Sequence, residues 1–367
     1  MAFNVFRSFH LSLNQSKVKQ LNYLAIVLLS LTWQLSAQTR VYVTPNGSGT
    51  ANGSSWNNAL PGNQIQNAIN GFSSGGEVWI AAGTYLPTET YDNGAIVRRA
   101  AFTLRSDVHL YGGFSGAETD TAQRSDFGEG GLNETILSGD IGIPGDSTDN
   151  AFHVIWGPSG ISNARVDGFT IRDGVANGGN FNDRSGGGIH INAGTIILKC
   201  VIKNNYGESA GGGVFIRSNN EMHQCVIKEN HCDDRGGGVY FSHFNLSSNV
   251  EPIAENCLFF RNTCNSEGGG AHLRSGGQVY NSRFIGNQAV RGGGAYMFNQ
   301  GDIINCIASN NRANITGGGF HITGGNIINT TIVRNQAGTN NGGGVYRSGT
   351  VWFKTPCYGE IAISLTI

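Results

Sequence analysis

The chain has 367 residues, of which 13% are charged, and its formal net charge is -1. This charged share is about half of the usual one, and it argues against a nucleic-acid partner, which needs a basic surface. Glycine is frequent, with 56 residues, whereas proline is scarce, with 7, and 39% of the residues are hydrophobic. A disordered chain rich in both glycine and proline is therefore excluded, and the glycines are expected in ordered turns.

The N-terminus has the pattern of an export signal. Basic residues precede an apolar run from Leu21 to Trp33, and Ala37 is a small residue suited to cleavage. The run is too short to span a bilayer as a helix. The sequence therefore predicts a signal peptide over residues 1–37, no transmembrane span after its cleavage, and export to a bacterial cell surface, the outer membrane or the extracellular medium.

The next segment, residues 38–185, is predicted to form a cap and the first coils of the fold. Apolar residues recur at helical spacing over residues 63–72, which predicts a short amphipathic helix that closes the N-terminal end. Short runs with strand character follow, such as GGEVWIAAGTY (75–85), and they are separated by Gly, Asp and Asn. Because these runs do not alternate with long helices, the chain is predicted to be all-β.

Residues 186–349 contain a repeat marked by the triplet Gly-Gly-Gly, which recurs mostly every 24 or 25 residues. A period of this length indicates a solenoid, because one repeat cannot bury its own apolar face. We predict one coil per repeat, with three short strands and with like residues stacked on like. Residues 350–367 break the repeat and are predicted to form an irregular, truncated tail.

Two polar columns appear when the repeats are aligned on the triplet. The cysteine column is expected to be buried as small apolar side chains. The asparagine column is expected to form hydrogen bonds from coil to coil. The cysteine column contains Cys200, Cys225, Cys257, Ser282, Cys306 and Thr330. The asparagine column contains Asn205, Asn230, Asn262, Asn287, Asn311 and Asn335.

The repeat resembles the GGA[ILV] and FxxN repeats of the chlamydial polymorphic outer membrane proteins, with matches at 259–262 (FFRN) and 284–287 (FIGN). The N-terminal half is similar to surface β-helix proteins of Bacteroidetes-type bacteria in stretches such as LYGGFSGAET (110–119) and VDGFTIRDG (166–174). The resemblance implies a single-stranded right-handed parallel β-helix, a pectate-lyase-like solenoid with a short N-terminal capping helix. It also implies an adhesin or autotransporter passenger. Here the triplet is all glycine, where the chlamydial repeat has GGA.

An aromatic column is the first candidate binding site. Side chains alternate along a strand, so the residue after the inward apolar column is predicted to point outward. The column would then be an exposed stripe for sugar rings or a partner protein. The alternative is stacking between coils without a ligand. The column contains His190, Phe215, Tyr240, His272, Tyr296 and His321.

A second outward face, on the strand after the cysteine column, is largely apolar. We predict a contact surface there, or a face covered by residues 175–185 or 243–252 of the same chain. Its first column contains Val201, Val226, Leu258, Arg283, Ile307 and Thr331. Its second column contains Lys203, Lys228, Phe260, Ile285, Ser309 and Val333.

Two smaller sets of residues are candidate sites. Asp140, Asp146 and Asp149 lie in one glycine-rich loop, and clustered carboxylates suit calcium; the alternative is that each serves a turn. No other cofactor is predicted. Cys232 and Cys264 each lie two residues after the asparagine column, so we expect neighbours in adjacent coils and a candidate disulfide.

These patterns predict an exported, adhesin-like protein that binds a glycan or a surface protein. The competing prediction is a polysaccharide lyase or glycoside hydrolase that acts on an acidic polysaccharide. An enzyme should gather charged residues from two or three adjacent coils in one groove. The repeats carry few acidic residues at outward positions, and no HExxH, GxSxG, P-loop or zinc CxxC motif occurs. A binding protein is therefore favoured, and no catalytic residue is assigned.

Overall fold

The computed structural model describes residues 40–217, 219–243, 250–338 and 341–348. The predicted signal peptide and the predicted tail lie outside these ranges, so both stay predictions, as do the domain boundaries. Within the described ranges, no helix combines the length and the apolar character that crossing a membrane requires.

The described chain is a parallel β-helix with four sheets, in which strands of successive coils pair in parallel. From Ala164 to Ile322, each coil contributes one strand to sheets A, B, C and D in turn. The predicted all-β solenoid is confirmed, and its right-handed coiling is the sense that connections between parallel strands take.

Each sheet is a row of strands in which spatial neighbours are hydrogen-bonded to each other. In spatial order, sheet A contains Leu60–Pro61, Arg40–Thr44, Gly76–Ala81, Val108–Phe114, Ala164–Asp167, Thr195–Leu198, Glu221–His223, Ile253–Glu255, Gln278–Tyr280, Asp302–Ile304 and Asn326–Ile328. Sheet B contains Gly83–Tyr85, Thr135–Ser138, Thr170–Arg172, Val201–Lys203, Val226–Lys228, Leu258–Phe260, Arg283–Ile285, Ile307–Ser309 and Thr331–Val333. Sheet C contains Val175–Ala176, Tyr206–Gly207, His231–Cys232, Thr263–Cys264, Gln288–Arg291 and Arg312–Thr316. Sheet D contains Phe102–Thr103, Ile155–Gly157, Ile189–Ile191, Val214–Arg217, Val239–Ser242, Ala271–Arg274, Ala295–Phe298, Phe320–Ile322 and Val345–Arg347.

The capping helix is Ile65–Gly71. Ile65 and Ile69 are buried in the main core together with Val43 and Phe102 of the first strands. The helix therefore covers the apolar interior at the N-terminal end, as predicted. Short 3-10 helices lie at Trp56–Asn58, Gly62–Gln64, Val97–Arg99, Thr121–Gln123 and Asn182–Arg184.

The asparagine column forms a continuous hydrogen-bonded ladder. From Asn205 to Asn311, each Nδ2 donates to the Oδ1 of the next rung at 2.9–3.1 Å. Each Nδ2 also donates to a strand carbonyl of the preceding coil. Each Oδ1 from Asn230 onward accepts a backbone N–H as well. Both ends of these buried amides are therefore satisfied, which offsets the cost of burying them.

The glycine triplet turns the chain from sheet C into sheet D. Its first glycine has a positive φ, as at Gly186 (74°) and Gly211 (66°), which favours glycine because it has no Cβ. The residues just before the triplet double back and pair from coil to coil, as in the bridges from Ser185 to Ala210 and from Ala210 to Arg235. Sheet C adds a short strand before this turn, so each regular coil has four strands, and the prediction of three is wrong.

Candidate functional site

The aromatic column forms one continuous stack of rings along sheet D. Its six predicted members lie 4.5–5.5 Å apart between ring centroids. At one end, the Trp156 ring lies 4.6 Å from the His190 ring, and the Tyr91 ring lies 4.3 Å from the Trp156 ring. Tyr346 extends it at the other end, 4.9 Å from His321. We call the whole set the aromatic stack.

The six predicted members of the aromatic stack are buried, so the prediction that they form an exposed stripe is wrong. The exposed fractions of its six predicted members run from 0% for His190 to 6% for Tyr296. The rings are buried because the segment just before each triplet lies against them. The His190 Nδ1–H donates to the Ser185 carbonyl at 2.8 Å, and the His321 Nδ1 bonds Thr316 Oγ1 at 2.7 Å. Stacking between coils, the alternative, agrees with this geometry, and these six rings expose at most 6% of their surface.

Burial sets the protonation of the histidines in and beside the stack. It lowers the pKa of His321 to about 4, and likewise that of His153, whose ring lies 5.2 Å from His190. It also lowers the pKa of His190 well below its ordinary value. For His272, burial also lowers the pKa, although a carboxylate oxygen of Glu267 lies 3.4 Å away and opposes the effect. These imidazoles are therefore neutral rings at neutral pH, packed like their aromatic neighbours.

The acidic loop uses its carboxylates within the loop. Asp140, Asp146 and Asp149 each accept a backbone N–H of the same loop at 2.8–2.9 Å. In the part of the chain that the structure describes, no group of three His, Cys, Asp or Glu residues could hold a metal ion. This arrangement agrees with the alternative that the aspartates serve turns, and calcium binding by this loop stays a prediction.

Cys232 and Cys264 are in-register neighbours on sheet C, as predicted. Both are buried free thiols in the structure. Neighbouring parallel strands lie about 4.8 Å apart, which is within the Cα–Cα range of about 4.4–6.8 Å that a disulfide spans. The strand spacing itself is therefore compatible with a bond between them. We call these residues the thiol pair.

The loop of residues 115–134 contacts the outward face of sheet B in its first coils through Glu129 and Glu134. A carboxylate oxygen of Glu129 lies 2.6 Å from the ammonium of Lys203, and the other lies 2.6 Å from that of Lys228. Thr170 Oγ1 donates to Glu134 at 2.6 Å. The cover was predicted from residues 175–185 or 243–252 instead. Of these, Phe181 packs edge-on against Phe215 at 5.7 Å, on the side of the aromatic stack, and 244–249 lie outside the described residues.

A cleft of about 290 Å³ lies at the corner between sheets A and B, and we call it the corner cleft. Amide side chains from three successive coils line it, together with aliphatic side chains, one guanidinium group and two cysteines whose thiols are buried in the core. The amides stand at exposed corner positions with positive φ, for example 56° at Asn256. The lining residues are Gln224, Cys225, Val226, Asn256, Cys257, Leu258, Asn281 and Arg283.

A Glu–His–Glu cluster, made of Glu221, His223 and Glu255, adjoins the corner cleft. His223 Nε2 lies 2.9 Å from Glu221, and His223 Nδ1 lies 3.4 Å from Glu255. Asn281, which lines the cleft, donates from Nδ2 to Glu255 at 3.3 Å. Polar groups of three adjacent coils are thus connected beside one cleft.

Sequence reasoning missed both of these features. The row of amides did leave a signal, because an amide residue precedes the cysteine column in five successive repeats. Glu221 and Glu255 left no signal in the sequence, because they belong to different repeats. They come to the same histidine only when His223 pairs with Glu255 in register. The amide row contains Gln224, Asn256, Asn281, Asn305 and Asn329.

No protein family model matches the chain, and no curated protein sequence matches it. Solved structures similar to it include pectate lyase Pel9A, at 14% identity and a TM-score of 0.44, covering 81% of this chain and 71% of that chain. ORF18 of Geobacillus virus E2 has 14% identity and a TM-score of 0.45, covering 96% of this chain and 66% of that chain. PfbA, a surface adhesin of Streptococcus pneumoniae, has 12% identity and a TM-score of 0.36, covering 73% of this chain and 74% of that chain. The parallel strand pairing of the chain itself defines the fold, and these likenesses carry nothing about activity.

Proposed function

We propose that this chain is an exported, adhesin-like β-helix protein of the cell surface or the extracellular medium, and that it binds a glycan in the corner cleft. The make-up of the cleft supports the proposal. Amides donate and accept hydrogen bonds at once, which complements neighbouring sugar hydroxyls, while aliphatic side chains such as Leu258 suit the C–H faces of a sugar ring. Concave sites with a few polar groups on an apolar wall are typical of ligand binding. Export rests on the signal pattern of residues 1–37.

The amide row gives the proposal a second support. All five amides are exposed, and they repeat once per coil along the helix axis. A positive φ favours asparagine at such corners, but that preference does not explain the whole row. The corner between sheets B and C also has positive φ, and it uses Glu229, Arg261 and Arg334 as well as asparagine. A row of amides along one edge therefore favours a ligand that itself repeats, such as a polysaccharide.

A glycan array probed with the purified chain tests the proposal. Asn256→Gly combined with Asn281→Gly removes two amides, and glycine adopts the same backbone conformation freely. We expect glycan binding at least tenfold weaker in this double variant. Asn204→Gly serves as the matched control, with binding unchanged, because Asn204 is exposed and has φ 53° but lies at the corner between sheets B and C, outside the amide row. An array without any bound glycan, or equal binding by the double variant, would contradict the proposal.

The Glu–His–Glu cluster favours a second candidate, a polysaccharide lyase or glycoside hydrolase acting at the same cleft. Carboxylate and imidazole groups suit proton transfer, and Arg283 lies on the next coil, where it could hold a substrate carboxylate. The test is to incubate the chain with polyuronates and calcium, and to follow unsaturated product by absorbance and new reducing ends. Product that disappears with His223→Gln and Glu255→Gln would make the enzyme the primary role. Binding without turnover would leave the binding protein.

A further inference from the structure

Sheet B shows how this fold covers its own outward face. The loop of residues 115–134 contacts its first coils through two carboxylates. Glu134 accepts from Thr170 at 2.6 Å, and Glu129 pairs with both Lys203 and Lys228 at 2.6 Å. The covering segment is thus acidic where the sheet is basic.

The same face continues beyond Lys228, where, within the described residues, no carboxylate of residues 115–134 pairs with it. The outward residues there are mainly apolar, and Phe260 and Ile285 are half-buried. The exposed fractions of Ile307 and Val333 are 42% and 45%. Outward apolar side chains that run across four successive coils form a patch of the kind that marks a contact surface.

The charges of this part of the face have one sign. The four strands and the corner residues after them read LFFR (258–261), RFIG (283–286), IASN (307–310) and TIVR (331–334), with three arginines and no carboxylate. Arg261 and Arg334 are both exposed. The Arg261 guanidinium carbon lies 4.8 Å from the centroid of the Phe260 ring. Apolar and cationic groups are therefore presented together. We call Phe260, Arg261, Ile285, Ile307, Val333 and Arg334 the free face.

We propose that the free face docks a segment of a partner protein that carries acidic and apolar side chains, in the way that residues 115–134 cover the coils before it. Two observations carry this inference, which goes beyond glycan binding at the corner cleft. The free face continues the two columns that the chain's own acidic segment covers, and its charge complements an acidic partner. A second copy packed face to face would oppose arginine to arginine, which is unfavourable.

The chain's own covering segment supplies the probe. A fluorescein-labelled synthetic peptide with the sequence of residues 124–134, RSDFGEGGLNE, carries three carboxylates, a phenylalanine and a leucine. Its binding to the full chain is measured by fluorescence anisotropy. We expect saturable binding that is at least tenfold weaker with Arg261→Glu and with Phe260→Ala. Binding should also weaken as salt rises. Lys199→Glu is the matched control, because Lys199 is exposed and has φ 51°, against 52° for Arg261.

Several outcomes would overturn the inference. One is a peptide that does not bind, and another is a peptide that binds Arg261→Glu and Lys199→Glu equally well. A peptide with all three acidic residues changed to their amides that binds as tightly would exclude recognition of acidic groups. An anionic oligosaccharide that binds at Arg261 while the peptide does not would assign the face to a glycan instead. Failure of the array experiment with Asn256→Gly and Asn281→Gly would leave this inference intact.

Discussion

Replacing Asn262 with alanine tests whether the asparagine ladder holds the coils together. Asn262 is fully buried and takes part in four side-chain hydrogen bonds. Its Oδ1 accepts from the backbone and the side chain of Asn230, and its Nδ2 donates to the Ile227 carbonyl and to Asn287. Each such bond contributes roughly 1 kcal/mol net. The Asn230 side chain and Asn287 each keep another bond, so we expect a loss of about 3 kcal/mol in the free energy of unfolding.

Urea unfolding followed by circular dichroism measures this loss. If the denaturant slope is about 3 kcal/mol/M, the midpoint of Asn262→Ala should fall by roughly 1 M. Asn265→Ala is the control, because Asn265 lies exposed on the outer face of sheet C, where it bonds Asp233. Asn335→Ala, at the half-buried last rung, should cost less than Asn262→Ala. A loss at Asn262 no larger than that at Asn265 would refute the idea that the ladder stabilises the fold.

The remaining predictions concern protons, glycines and thiols. Burial lowers the pKa of His153 and of His321 to about 4, against about 6.5 in the unfolded chain. The unfolded chain therefore binds more protons between these values, so stability is complete above about pH 6.5 and is lost as the pH falls toward 4; a urea midpoint unchanged between pH 7.5 and 5 would contradict this. Gly212→Ala places a Cβ 2.1 Å from the carbonyl oxygen of His231 and should severely lower thermal stability, whereas Gly179→Ala meets nothing within 4 Å and should leave the melting temperature unchanged. Both residues of the thiol pair should be alkylated when the chain is denatured without a reductant, and mass spectrometry that finds them unlabelled until reduction would show a disulfide.

The amino-acid pattern alone was enough to predict the coil. The glycine triplet, the buried cysteines and the asparagine column repeat at one spacing, and the strands pair in the register that this alignment predicts, for example Ile202 with Ile227. The capping helix was equally visible, because the helical period of its apolar residues is a local property. Such features are predictable, since each repeat contains all of the residues that specify it.

What covers each outward face depends instead on the folded chain as a whole. The alternation of side chains along a strand correctly predicted that His190 points away from the main core. The ring is nevertheless buried, because Ser185, just before the glycine triplet, lies against it and accepts its hydrogen bond. The repeat pattern does not describe this contact. Glu129 reaches Lys203 and Lys228 from a loop outside the repeat. Contacts between repeating and unique segments are specified by neither segment alone, because they form only after the coils have stacked. For that reason the exposed surfaces, and with them the candidate sites, became visible only in three dimensions.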